Sequence, residues 1–270
     1  MNNIQVKKAS GELEAFSEEK VRQSLQRAGA KAEVIEKIII DLKSKLHDGI
    51  STRAIYKQVF NLLNQLQEHQ GYRYSLKEAL MKLGPSGYPF EKFIGKLLEY
   101  QGYKTRVNVE IMGKCVSHEI DVIAEKNNET ALIECKFHNH HGIKTRVKTA
   151  LYVQARFEDV VEKNEKYKNI WLVTNTKLTD RAISYGECKG MKMLAWRYPQ
   201  ENSLEQMIEK SKLLPVTVLS FLSQKEIRIL MDNNIVVCRD AGKITAETMI
   251  NWGIEKEKAE KIKQVITSFL

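Results

Sequence analysis

His118-Glu119-Ile120-Asp121-Val122-Ile123-Ala124 and, shortly after, Ala131-Leu132-Ile133-Glu134-Cys135-Lys136 are two apolar-rich runs on either side of Asn127-Asn128. Polar and apolar residues alternate along each run, the period of a strand. Asparagine tolerates left-handed backbone, so a two-residue turn at Asn127-Asn128 predicts a hairpin in which Asp121 faces Glu134 and Glu119 faces Lys136. Alternation then places Glu119, Asp121, Glu134 and Lys136 on one face and Ile120, Val122, Ile133 and Cys135 on the other. One face is expected to be core and the other chemical.

Two carboxylates facing each other repel, costing a bare hairpin about 0.2–1 kcal/mol unless positive charge lies between them. A divalent cation supplies that charge, and hard oxygen donors with positions left open suit magnesium, or manganese in its place, better than zinc or copper. Such an ion can polarise a phosphate and acidify a water, while the ammonium of Lys136 orients that water and meets developing charge. The plain alternative is a solvated hairpin whose outer face happens to be charged.

The segments around the hairpin set its context. Phe90, Phe93, Ile94, Leu97, Leu98 and Tyr100 line one side of a helix ending before Gly102. Strand-like runs follow at 103–111, 115–124 and 131–137, then a helix over 146–163 and a buried strand at 170–174, the order αβββαβ of a small α/β domain. Gly84-Pro85-Ser86-Gly87 breaks the chain ahead of it. Before that break, Ile4 to Lys8 and Glu12 to Phe16 read as a hairpin across Ala9-Ser10-Gly11; Ser17 caps the first of several helices running to about Leu83. Pro199 to Lys212 reads as a polar connection, and helical spacing returns from Val216 to the end. The expected fold class is α+β multidomain, with domains at 1–84, 86–198 and 213–270.

A chain of 270 residues with 43% apolar content can bury several cores, which excludes a disordered protein. Its formal charge of +9 points to a polyanion as partner. Cys115, Cys135, Cys188 and Cys238 are too scattered for a zinc knuckle or disulfide scaffold, which fits a reducing, cytoplasmic setting. No apolar run is long enough to span a bilayer, so no membrane partner is expected. Lys144, Arg146, Lys148 and Arg156 lie in an acid-free stretch that could neutralise DNA phosphates, and His138, His140 and His141 read as phosphate contacts sooner than as metal ligands.

Residues 88–175 resemble the PD-(D/E)xK nucleases, most closely the Mrr-like restriction endonucleases. Tyr88-Pro89-Phe90-Glu91-Lys92-Phe93 matches the opening helix, Glu119-Ile120-Asp121 the second motif, Ile133-Glu134-Cys135-Lys136 the third, and Tyr152-Val153-Gln154-Ala155-Arg156 the following helix. Ile120 stands where many members have proline. The resemblance implies a magnesium-dependent endodeoxyribonuclease with Glu91, Asp121 and Glu134 on the metal, Lys136 at the water and Gln154 in support, acting in restriction of foreign DNA. Two rivals stay open: a nucleotide-responsive DNA-binding regulator on an inert nuclease fold, and a repair or junction-resolving nuclease.

The first segment resembles the ATP-cone. Val6-Lys7-Lys8-Ala9-Ser10-Gly11 stands at its V-x-K-R-x-G, Phe16 and Lys20 continue the pattern, and Tyr72-Arg73-Tyr74-Ser75 resembles its closing motif. The resemblance implies ATP or dATP as effector, held around Val6, Lys7, Lys8, Gly11 and Lys20; lysine at position 8 keeps the charge of the usual arginine and loses its fork. Without a Walker-type loop, binding is expected in place of hydrolysis. Asn233-Asn234-Ile235-Val236 and Trp252-Gly253-Ile254 look like degenerate helix-hairpin-helix turns, suited to DNA phosphate or to docking a second copy in a homo-oligomer.

Overall fold

The computed structural model describes residues 4–8 and 11–269, apart from the side chains of 68–70, 268 and 269, so the expected turn residues Ala9 and Ser10 lie outside the described residues. The chain forms two compact units, Met1–Glu78 and Ala79–Leu270.

In the first unit, β1 (Gln5–Lys7) pairs antiparallel with β2 (Leu13–Ala15), with Val6 opposite Glu14. Gly11 takes φ +87°, a conformation open to glycine without strain. Ser17 caps α1 (Glu18–Arg27) by accepting from the Lys20 amide, and α2 (Ala32–Lys45) follows. The hairpin is in fact part of a three-stranded sheet: β3 (Ile50–Ser51) runs parallel to β1, with Val6 against Ile50. Two residues are too short to show a strand period, which is why the pattern does not betray it. Ser51 then caps α3 (Thr52–Leu66), α4 (Glu68–Tyr74) completes the helices of this unit, and α5 (Leu76–Met81) carries the chain across the boundary. Leu25, Ile38, Ile39, Leu42, Val59 and Leu63 close a core over Val6 and Ile50.

The second unit is built on α6 (Tyr88–Tyr100), the strands β4 (Lys104–Met112), β5 (Ser117–Lys126) and β6 (Glu129–Lys136), and the short β7 (Lys144–Thr145). After them come α7 (Val147–Lys163), β8 (Tyr167–Thr174), β9 (Lys177–Leu178), α8 (Asp180–Cys188) and β10 (Lys192–Leu194). The sheet order is β10-β8-β6-β5-β4; β4, β5 and β6 form an antiparallel meander, and β6, β8 and β10 run parallel.

Both faces are covered. Ile170 and Leu172 pack with Ala150 and Val153 of α7 and Ala182 of α8, whereas Gly95 of α6 lies so close to β4 that a Cβ there would stand 2.9 Å from a Val107 methyl. A strand buried on both sides has no polar face to display, so Ile170 to Val173 reads as a continuous apolar run.

The segment expected as a polar connection is instead α9 (Leu204–Ser211), opened by a capping box of Ser203 and Gln206 and burying Leu204, Met207 and Ile208. A 3₁₀ turn (Val216–Val218) and the helices α10 (Gln224–Asp232), α11 (Cys238–Lys243), α12 (Ala246–Asn251) and α13 (Lys256–Phe269) follow in the same unit. Within this unit Thr217 donates to the Ala79 carbonyl in the last turn of α5 (2.6 Å), and Lys92 of α6 donates to Asn234 (2.5 Å), tying these helices to the sheet-bearing part. Among the described residues no helix is long and apolar enough to cross a membrane.

Candidate active site

Asn127 and Asn128 both take positive φ (51° and 61°), the two-residue turn read from the sequence. The register is the expected one from Lys126↔Glu129 up to Val122↔Ile133, and there the regular ladder stops. Asp121 and Glu134 therefore do not form the expected ladder pair. The carboxylate of Asp121 takes over the ladder's work, accepting from the Cys135 amide at 2.6 Å.

A matching interruption lies one strand further out. Asn108 of β4 takes φ +54°, and the Asn108/Asp121 position is missing from an otherwise continuous β4–β5 register. A left-handed residue inside a strand turns its sides over. Thr105 and Val107 pack toward α6 before it, and Val109 and Ile111 pack with Val160 and Phe157 of α7 after it. Ile120 and Ile123, an odd number of residues apart, accordingly share that α7 cluster with Leu132. The expectation of one core face and one chemical face is thus corrected: α7 covers Ile123 and Leu132, and Asp121, Glu134 and Lys136 lie beyond the last regular β5–β6 pair.

Glu91, on the first turn of α6, joins this end. Burial first, then the charges of Asp121, Glu119 and Glu134, push its carboxyl up to about 7; burial and Glu134 likewise raise Asp121 well above the usual range. Glu134 is turned the other way, its Oε2 accepting from Arg156 Nη1 at 2.5 Å. Arg156, expected to meet DNA phosphate, is thus committed to Glu134 and only 12% exposed.

Gln154 is buried and donates to Glu158 at 3.0 Å, with its Oε1 lacking a partner. Lys136 is exposed at the end of β6, opposite Thr174 of β8. Among the described residues no three of His, Cys, Asp and Glu converge as a metal cluster.

Two features escaped the pattern. Asn175 accepts from the His138 amide (2.8 Å) and donates back to its carbonyl (2.9 Å), while the His138 ring meets Thr145 at 2.8 Å. His138, expected among phosphate contacts, instead pins the chain just past Lys136. Asp159 of α7 accepts from the Cys115 amide (2.8 Å) and meets His118 Nε2 at 2.7 Å, holding the β4–β5 turn. Only folding brings partners so distant in sequence together.

In the first unit a cavity of about 140 Å³ is lined by Val6, Lys8, Phe16, Ser17, Lys20 and Thr52 among others. Lys8 pairs with Glu14 at 2.5 Å and with Glu12 at 3.2 Å, and Lys20 pairs with the same Glu14. Lys20 and then Lys8 hold the Glu14 carboxyl down at about 2. Lys7 and Gly11 are exposed and not among its lining residues.

The charge balance at Glu91 sets a pH dependence. Its folded-state value lies above the ordinary 4.5, so between about 4.5 and 7 the folded state binds more protons than the unfolded one. Stability from this group therefore falls as pH rises through that window. Urea midpoints in EDTA should fall less between pH 4.5 and 7.5 for Glu91→Gln than for the parent. Equal slopes would remove Glu91 from the buried carboxylate cluster.

Comparison with known proteins places these parts. Residues 84–196 match the Mrr catalytic model, described as restriction endonuclease; residues 4–82 match the ATP cone domain, and 214–269 the AF1548-like C-terminal model. An uncharacterized protein of Archaeoglobus fulgidus is 36% identical over 169 residues, covering 63% of this chain and 95% of that protein. The crystal structure of AF1548, a protein of unknown function, is 34% identical with a TM-score of 0.60, covering 67% of this chain and 97% of that one.

Proposed function

Because the chain belongs to one family with the Archaeoglobus fulgidus protein and carries an Mrr-type restriction-endonuclease domain behind an ATP cone, we propose that it is a metal-dependent DNA endonuclease regulated by ATP or dATP. The observation that carries this reading is the gathering of Glu91 and Asp121 where the regular β5–β6 ladder ends, beside Glu134 and Lys136. Glu91 and Asp121 are hard oxygen donors whose burial and mutual repulsion favour protonation, and magnesium or manganese would supply charge that offsets it. Glu91, Asp121 and Glu134 would hold the ion, which when bound polarises the scissile phosphate and acidifies a water.

The chain's own residues do the rest. Lys136, exposed at the edge of the site, donates to the water and to the charge building on the phosphate. Asp121, fixed by the Cys135 amide, keeps one carboxylate oxygen in place. Gln154 supports the floor of the site from α7. The proposed domains are 1–84, 86–198 and 213–270, the substrate is DNA, and restriction of foreign DNA in the cytoplasm is the proposed role. Cutting both strands would call for a homo-oligomer, since one site cuts one strand.

Supercoiled plasmid incubated with purified protein and magnesium or manganese tests this directly. Nicked or linear product that EDTA abolishes is expected. A second reading, a DNA-binding regulator on an inert fold, is favoured by the Glu134–Arg156 ion pair; it moves ahead if unmodified, methylated and branched DNA are all bound and none is cut.

Nucleotide binding is assigned to Val6, Lys7, Lys8, Gly11 and Lys20. A triphosphate must displace Glu14 from Lys8 and Lys20, exchanging one anion for another of higher charge. Lys8→Ala should weaken ATP and dATP binding by about tenfold, roughly 1.4 kcal/mol, in calorimetric titration, leaving nucleotide-free cleavage unchanged. Affinities within twofold of the parent would take Lys8 out of the nucleotide site.

A further inference from the structure

Arg156 is the one cation seen to touch a proposed metal-site carboxylate among the described residues. Its guanidinium and the Glu134 carboxylate are 12% and 20% exposed, too sheltered for an incidental surface pair. The pair is nevertheless incomplete. Arginine can offer carboxylate a two-pronged fork, but here a single Nη1 bond of 2.5 Å reaches Glu134 while Nε is buried without a partner. The guanidinium carbon lies 5.3 Å from the centre of the Tyr152 ring, a second, weaker resting place for its charge.

While Glu134 stays on Arg156, the carboxylates of Glu91, Asp121 and Glu134 do not form a three-ligand cluster. A guanidinium and a divalent cation cannot both approach one carboxylate closely without repelling each other. We propose, resting on the nuclease reading, that Arg156 is the resident counter-charge of Glu134 and competes with the metal for it. Loading is then an exchange in which Glu134 leaves the guanidinium for the ion and Arg156 falls back over Tyr152. The contrary arrangement, in which Arg156 holds one oxygen and presents the other to the metal, predicts weaker, not tighter, metal binding once the guanidinium is removed.

Removing the competitor should tighten metal binding. In calorimetric titration with Mn²⁺, Arg156→Met is expected to bind about tenfold more tightly than the parent, a difference of roughly 1.4 kcal/mol. Its melting temperature should fall in EDTA, where the half-buried Glu134 is left without a partner, and rise further on adding Mn²⁺ than the parent's does. Arg156→Lys keeps the charge and should bind Mn²⁺ like the parent; if Arg156→Met does not fold even in Mn²⁺, Arg156→Ala carries the same expectations. Equal or weaker Mn²⁺ binding by a folded, uncharged variant overturns the exchange and leaves the nuclease reading standing. If neither parent nor variant binds Mn²⁺, the metal-dependent reading falls, and the exchange with it. If neither Arg156→Met nor Arg156→Ala folds in Mn²⁺, the arginine is structural and the exchange is overturned.

Discussion

Lys136→Ala should slow plasmid cleavage by about 10²–10⁴-fold while Mn²⁺ affinity and melting temperature stay close to the parent values. The expectation rests on where the residue stands. Lys136 is exposed at the last position of β6, whereas Cys135 beside it is buried and Glu134 is engaged by Arg156. Truncating an exposed side chain removes little packing, and the backbone after it is held by Asn175 on both sides of His138. A loss of rate with fold and metal binding intact would locate the effect in the transition state. Retention of more than a tenth of the parent rate would show that Lys136 does not touch the reacting atoms.

The second large effect is at Asp121. Asp121→Asn is expected to lower cleavage by about 10³-fold or more, since an ionic ligand worth several kcal/mol of charge stabilisation becomes a neutral amide. Mn²⁺ binding should weaken with it. Stability should move the other way. The asparagine oxygen can still accept from the Cys135 amide, now 2.6 Å from the carboxylate, and the repulsion with Glu134 and Glu119 disappears. In EDTA at pH 8 the variant should therefore melt no lower than the parent. A marked fall in melting temperature would mean that Asp121 is structural first, and the low activity would then say nothing about the metal.

These effects were foreseeable to different degrees. The hairpin and its asparagine turn are legible because strand alternation and turn chemistry are local, acting over two to four residues. The helices α6 and α7 are legible for the same reason, since apolar spacing marks a buried face whatever covers it. The α9 helix was hidden by its polar composition, although the Ser203 and Gln206 capping box and the spacing of Leu204, Met207 and Ile208 were there to be read.

What alternation could not supply is the interruption at Asn108 and Asp121. A single left-handed residue in β4 reverses which side of the strand is covered, and nothing in β5 itself announces it. The pairing of Arg156 with Glu134 is beyond a sequence reading for a related reason. Twenty-two residues separate the two, and only the return of α7 across the sheet sets an arginine that looks like a phosphate contact against a carboxylate that looks like a metal ligand.

By itself, then, the sequence determined most of the element types, the α+β class, and the nuclease-like and ATP-cone segments, because each depends on short-range pattern and residue type. Tertiary structure alone decided which groups meet: Asp121 with the Cys135 amide, Glu91 with Asp121, Glu134 with Arg156, and Lys8 and Lys20 with Glu14. Such meetings are set by how strands end and helices cross, and charge acts over distances through space that the order of residues does not contain.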